Sequence, residues 1–237
     1  MKTICIFLVI TLFSMIGCCK DDDVLPICFE KNYYEKPWGK RLSLKFNGGS
    51  EYLSVMVSDT SVLEASVPQK GILDISTKRK GVAYVTVKDN ANNDSVRISI
   101  KVVDKYLCMH LADPVPQSPD FRKGDKMFMI NNKDKSVYIY DDSLRMRDKG
   151  RYNVYIKEHS CYMSLDLSNK NFIYDVSTSD GLFFEVARSY LGLSKINMGD
   201  SKVLRSVEPI FVEAIDTVTN TTYYFTLDID EMPLGVL

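Results

Sequence analysis

The chain predicts an all-β fold in two domains, an N-terminal two-sheet sandwich followed by a second β-rich, sandwich-like domain. Three observations carry that expectation. Short runs of alternating apolar and polar residues recur along the chain, the period of a strand with one buried face. The segments between them are rich in Gly, Asp, Asn and Ser, which turn a backbone. The run Asp113-Pro114-Val115-Pro116-Gln117-Ser118-Pro119-Asp120 sets three prolines in eight residues, removing backbone donors and fixing φ. It divides the sequence into domains at 24–108 and 121–237, with 109–120 as a stiff linker. A length of 237 residues suits two domains of modest size.

The first segment is an address rather than a part of either domain. Lys2 is followed by an apolar run from Ile4 to Ile16, which at thirteen residues is shorter than the roughly 20 a membrane span needs. It reads as a cleavable export signal over residues 1–17. The run closes on Met15-Ile16-Gly17-Cys18-Cys19, where Gly17 is small enough for a peptidase pocket and Cys18 offers a thiol. This junction resembles a bacterial lipoprotein box, which implies that Cys18 is lipidated and begins the mature chain. The next residues, Lys20-Asp21-Asp22-Asp23, resemble the Lys-acidic-acidic signal of Bacteroidota lipoproteins. That resemblance implies an outer-membrane protein facing the cell exterior, with 18–23 as an acidic tether and the membrane as a partner through the lipid alone.

Six strands follow in the first domain, at Leu42–Phe46, Tyr52–Val57, Leu63–Val67, Leu73–Ser76, Val82–Val87 and Val96–Val103. In Val82-Ala83-Tyr84-Val85-Thr86-Val87 and Ile98-Ser99-Ile100-Lys101-Val102 every second side chain is apolar, which buries one face and wets the other, as in a two-sheet sandwich. Gly81 suits a tight turn before Val82, Asp89 to Asp94 has the composition of a loop, and Lys78-Arg79-Lys80 reads as a charged hairpin tip. The pieces Val57-Ser58-Asp59-Thr60-Ser61-Val62-Leu63-Glu64-Ala65, Gly71-Ile72-Leu73 and Lys80-Gly81-Val82-Ala83-Tyr84-Val85-Thr86-Val87, in that order, resemble the bacterial Ig-like domains of the group 2 type. The resemblance covers about a third of the chain and implies an Ig-like spacer or adhesive module without catalysis.

Beyond the linker the strands fall at Lys126–Ile130, Val137–Tyr140, Tyr152–Ile156, Tyr162–Leu167, Phe172–Val176 and Phe183–Ala187. Two hairpins are expected. Ser179-Asp180-Gly181 joins Phe172–Val176 to the strand at Phe183–Ala187, and Thr217-Val218-Thr219-Asn220 joins Ile210–Ile215 to Tyr223–Ile229. A helix over Leu182–Leu193 is the alternative to the first, because Phe183, Ala187, Tyr190 and Leu191 share one helical face. The hairpin requires the fewer assumptions.

Charge and chemistry narrow the function. Without residues 1–17 the chain carries 29 Lys/Arg against 31 Asp/Glu, and residues 24–112 hold 13 against 9 while 113–237 hold 15 against 19. No nucleic-acid partner is suggested, and the halves are weakly opposite in sign. His110 and His159 have no second His at ligand spacing, and no nucleophile elbow, phosphate loop or dinucleotide fingerprint is present. The chain is therefore read as a non-enzyme without cofactor or metal site. The acidic groups Asp141-Asp142 and Asp228-x-Asp230-Glu231 read as solvated turns, and Cys161 as a core residue, with no disulfide framework. Asp94-Ser95-Val96, Asp142-Ser143-Leu144 and Asp216-Thr217-Val218 resemble Bacteroidota O-glycosylation acceptors. Exposed aromatic faces cover the apolar side of a sugar ring, so Trp38 with Tyr33 and Tyr34, and Tyr224 on the wet face of its strand, are the candidate ligand-binding residues. The expected function is a cell-surface binding or adhesion module for a glycan or protein ligand. The alternatives are a subunit of a surface assembly and an accessory to polysaccharide hydrolysis.

Overall fold

A computed structural model describes residues 25–115, 120–168, 170–177, 182–193, 211–228 and 231–237. The leader, Cys18 and the acidic tether lie outside them. The chain is all-β, with one helix among the described residues.

Eight strands build the first domain: β1 (Cys28–Phe29), β2 (Tyr33–Pro37), β3 (Arg41–Asn47), β4 (Leu53–Val57), β5 (Leu63–Gln69), β6 (Ile72–Thr77), β7 (Gly81–Asp89) and β8 (Asp94–Val103). The six expected strands are β3 to β8; β1 and β2 were not legible because neither alternates. The strands pair as two sheets in the orders β1-β3-β6-β5 and β2-β8-β7-β4. In the second, β2 runs parallel to β8 while β7 pairs antiparallel to both β8 and β4. Leu63, Leu73, Ala83, Val85, Val87 and Ile100 are fully enclosed between the sheets, each larger one contributing about 1.5–3 kcal/mol by leaving water. Lys78-Arg79-Lys80 is not a hairpin tip. It carries the chain from β6 in one sheet to β7 in the other, with the Lys78 and Arg79 amides donating to the Val62 carbonyl. Gly81 follows at φ +153, where a Cβ would meet Val62 Cγ2 at 2.9 Å. The sequence suggested glycine here for a tight turn; the approach of Val62 is a second reason for it.

The second domain is a closed barrel, which corrects the sandwich-like expectation. Its strands are β9 (Tyr106–Val115), β10 (Lys126–Ile130), β11 (Ser136–Tyr140), β12 (Met146–Lys157), β13 (Ser160–Leu167), β14 (Lys170–Asp175), β15 (Phe211–Asp216) and β16 (Thr222–Asp228). They run in the order β10-β11-β12-β13-β14-β15-β16-β9, so each strand pairs antiparallel with its neighbours in sequence and β16 closes on β9. Residues 109–115, read as linker, form most of β9. Leu107, Met109 and Leu111 point into the barrel and Cys108 is buried on the other side. A strand apolar on both faces shows no alternation to a reader of sequence. The domain boundary therefore falls at Asp104-Lys105.

The barrel interior is packed with apolar and aromatic side chains, among them Met129, Val137, Met163, Leu165, Phe172, Tyr174, Val212, Tyr223 and Phe225. Outward positions carry Lys149, Arg151, Asn153, Asp166 and Asn171. This is the inverse of a membrane-spanning barrel, which is apolar outside and polar within. No helix among the described residues is long and apolar enough to cross a membrane.

The hairpin expected over Phe172 to Ala187 is replaced by helix α1 (Leu182–Leu191); its supposed turn lies outside the described residues. Phe183, Phe184, Ala187 and Leu191 are buried against the barrel core. A strand would have sent Phe183 and Phe184 to opposite faces, whereas a helix buries both. Gly192, at φ +65, ends the helix as its amide donates to the Arg188 carbonyl at 3.1 Å. The other expected hairpin is present as β15–β16.

The C-terminal segment 231–237 ties the domains together. Met232, Val236 and Leu237 cover the apolar outer face of β9, β10 and β11, formed by Cys108, Phe128, Ile130, Tyr138 and Tyr140. The Met232 amide donates to the Tyr106 hydroxyl at 3.2 Å and the Gly235 amide to Glu35 Oε2 at 3.2 Å. Lys36 of β2 pairs with Glu231, and Lys101 of β8 donates to the Leu237 carbonyl. Lys40 Nζ reaches the Tyr190 hydroxyl of α1 at 2.9 Å, adding a second crossing.

Candidate recognition surface

The outer face of the β2-β8-β7-β4 sheet is where apolar and cationic side chains meet solvent. Its inward positions, Ala83, Val85, Val87, Ile98 and Ile100, fill the core, so alternation sends Val82, Tyr84, Thr86, Lys88, Arg97 and Ser99 outward. Register then sets the rows. Met56 of β4 stands opposite Thr86, and Thr86 opposite Arg97; Tyr84 stands opposite Ser99, and Ser99 opposite Tyr33 of β2; Val82 stands opposite Lys101, and Lys101 opposite Glu35. Met56, Val82 and Tyr84 are 60%, 51% and 41% exposed, with Tyr52 exposed just before β4.

The Arg97 guanidinium lies 3.8 Å from the centroid of the Tyr84 ring. That contact stiffens a long side chain while leaving the edge donors of its planar fork free. Among the described residues neither Arg97 nor Lys88 has a carboxylate partner. The only carboxylate on these rows, Glu35, is already engaged. It accepts from the Tyr33 hydroxyl at 2.6 Å, from Lys101 Nζ at 3.4 Å and from the Gly235 amide. Its hydrogen bond, followed by burial and by its charge, pushes the Tyr33 phenol up to about 12. This face is cationic and apolar together.

The aromatic residues picked from sequence separate. Tyr33 lies on the outer face just described. Tyr34, its neighbour, turns inward and packs on the sandwich core, where burial raises its pKa. Trp38 is half-buried against the same core, with Lys105 Nζ 4.2 Å from its ring centroid. It sits at the domain boundary, where Gly39 at φ +70 turns the chain beside Lys105. Tyr224 is 39% exposed on the barrel wall while Tyr223 and Phe225 point inward, the split its strand position required. Sequence reasoning missed Tyr84 and Arg97. They lie on different strands and become a pair only through the register of β7 against β8.

Of the concave places elsewhere among the described residues, two bear on binding. One is a broad hollow of about 600 Å³ on the outer face of β3, β6 and β5, lined by Arg41, Ser43, Glu64, Ser66, Asp74 and Ser76, in which Ser43 donates to Asp74 and Glu64 pairs with Lys78. The other, of about 190 Å³, lies at the barrel end away from α1 over Phe121, Ile139, Leu167 and Phe172. Its cations are matched internally, Arg147 by Asp125 and Lys170 by Asp120. Deeper in the barrel the Tyr174 hydroxyl is buried with no hydrogen-bond partner among the described residues, and burial raises its pKa.

Other chemistry-bearing residues have structural roles. Asp141 accepts from the Ser143 and Arg145 amides and pairs with Arg145, closing the β11–β12 turn. Glu158 and His159 form the β12–β13 turn, both at positive φ. Asp230 lies outside the described residues and Glu231 serves the interdomain pair. No group of metal-ligating side chains is assembled among the described residues. Cys161 and Cys108 are buried and Cys28 exposed, none in a disulfide; burial, with the charge of Asp175 adding to it, pushes the Cys161 thiol up to about 11. Ser95, Ser143 and Thr217, the hydroxyl residues of the three acceptor-like triplets, are all exposed.

No protein-family model matches the chain, and no curated protein matches it. Among solved structures it is similar to domains 4 and 5 of the S-layer protein SbsC, at 15% identity over 34% of this chain and 46% of that one, with a TM-score of 0.31. Domains 1-6 of the same protein match at 11% identity over 65% and 24%, TM-score 0.31. The D00-D0 domain of intimin matches at 8% identity over 86% and 99%, TM-score 0.27. The chain spans less than half the length of these S-layer chains. At such overlap the likenesses carry no assignment.

Proposed function

We propose that the protein is a non-catalytic recognition module, held by a lipid on Cys18 at the outer surface of the outer membrane, with its Ig-type sandwich as both spacer and binding domain. The observation that carries the reading is the outer face of the β2-β8-β7-β4 sheet. A guanidinium over the Tyr84 ring, without a carboxylate partner among the described residues, stands beside exposed Tyr84, Met56 and Val82, and tyrosine, methionine and arginine are the residues that contact surfaces favour. The leader and the Gly17-Cys18 junction support the anchoring.

Two measurements test this reading. Fatty-acid labelling of the native cell should mark the protein, and Cys18→Ala should abolish the label while Cys19→Ala leaves it. The purified full chain, offered polysaccharides, mucin glycans and matrix proteins, should bind one of them saturably, with Tyr84→Ala weakening retention. Binding that survives Tyr84→Ala but is lost on Trp38→Ala or Tyr224→Ala would move the recognition surface to those residues.

A further inference from the structure

Resting on that reading, we infer that the Tyr84–Arg97 face takes a polysaccharide whose sugars bear carboxylates. Arg97 and Lys88, the latter on the last outward row before the β7–β8 turn, have no carboxylate partner among the described residues, and Glu35 is occupied by Tyr33, Lys101 and Gly235. A ligand that supplies negative charge completes this surface, and one that brings more cations is repelled.

Register supplies the spacing. Arg97 stands opposite Thr86, while Lys88 stands opposite Ser95 and Tyr84 opposite Ser99, so Arg97 is the diagonal neighbour of both Lys88 and Tyr84. Diagonal neighbours lie about 7–8 Å apart. A chain bearing carboxylates along its length can place one on Arg97 and another, not necessarily on the adjoining sugar, on Lys88, and the ring of Tyr84 lies beside the first cation to take the apolar face of a sugar. Guanidinium grips a carboxylate with two parallel hydrogen bonds, and the stack on Tyr84 holds its plane in place for that grip.

The groups between the charges favour a sugar over a protein surface. Ser54, Thr86 and Ser99 stand among Met56, Val82 and Tyr84 on the face, so hydroxyls and apolar patches are interleaved at the scale of one ring. A sugar ring is itself apolar on its faces and hydroxylated at its edge. A protein interface centres instead on a contiguous desolvated apolar core. The C-terminal segment, seated against Glu35 and Lys101, closes the domain-boundary end of the face and leaves the Met56 end open.

The test uses the purified full chain in detergent and three probes: polygalacturonate, the same polymer methyl-esterified, and neutral dextran. Polygalacturonate is expected to bind, weakening as salt rises, with affinity lowered at least tenfold by Arg97→Ala and several-fold by Lys88→Ala or Tyr84→Ala. The methyl ester and dextran are expected not to bind, and Lys70→Ala, off the face, to change nothing. Unaltered thermal unfolding of each variant keeps a binding loss from being misread as misfolding. Equal binding of the methyl ester, or binding indifferent to Arg97→Ala, overturns the carboxylate assignment while leaving the recognition reading intact. Self-association in sedimentation that Arg97→Glu abolishes overturns it in favour of a second copy on this face. Binding of a panel protein that Tyr84→Ala weakens, with no polysaccharide bound, overturns it in favour of a protein ligand. Failure of the three probes and of the whole panel overturns both.

Discussion

Asp89 ends β7 and holds its turn together almost alone. Its carboxylate accepts from the Ser50 amide and hydroxyl at 2.7 and 2.6 Å, from the Ala91 amide at 2.9 Å and from Asn92 Nδ2 at 2.9 Å. The Ser50 side-chain hydrogen bond leads in holding its pKa far below the ordinary value of 3.8. A carboxylate depressed by folding contributes stability above its unfolded value, and that stability is lost as pH falls toward the folded one. Asp89→Asn is thus expected to lower the melting temperature at neutral pH, with the gap to the parent narrowing below about pH 4, in thermal scans across pH. This residue was legible only as loop composition. That a single side chain gathers Ser50 and Asn92 depends on β4 lying against β7, which nothing local encodes. Tyr33 is partly the opposite case, since its hydroxyl donates to Glu35 two residues along the same strand, while the Gly235 amide that shares this carboxylate comes from the far end of the chain.

Strands with one wet face were read correctly, and so was β10, an unbroken apolar run buried on both sides, but β9 was not. Val82 to Val87 alternates because one sheet face meets solvent. β9 does not, because Leu107 and Met109 enter the barrel while the C-terminal segment covers Cys108. The helix failed for a different reason. Asp180-Gly181 is a strong local turn signal, and the decision between turn and helix came from Phe183 and Phe184 being needed together at one end of the barrel. Phe183→Ala is expected to cost about 3–5 kcal/mol in denaturant unfolding, whereas a strand-like arrangement with one exposed ring would make one of Phe183→Ala and Phe184→Ala nearly silent. Gly150 carries a second element-level constraint. A Cβ there would meet the Asp166 carbonyl at 2.0 Å, so the close approach of β12 to β13 leaves room for no side chain.

At the scale of the molecule, the two halves are weakly opposite in sign, and one specific ion pair joins them. Lys36 is only 10% exposed in its side chain and meets Glu231, which is 62% exposed. Removing the outer partner strands a cation in a poorly solvated place, while removing the cation leaves only a solvated carboxylate. Glu231→Ala is accordingly expected to destabilise the chain by ~1 kcal/mol and Lys36→Met by less. Calorimetry reads the consequence for coupling, with one shared transition in the parent resolving toward two in Glu231→Ala. None of this was legible in advance, because residues 36 and 231 are neighbours only once sandwich and barrel have both formed.

The parallel pairing of β2 with β8 has a mechanical meaning for a protein tethered at one end. On the proposed anchoring, load would enter ahead of β1, pass through β2 and leave for the barrel after β8, so that pulling on the barrel would slide β2 along β8. The load falls in shear across the register from Tyr33↔Ser99 to Pro37↔Val103, whose hydrogen bonds must yield together rather than one after another. A surface held by such a stalk would be presented against flow without the stalk unravelling first.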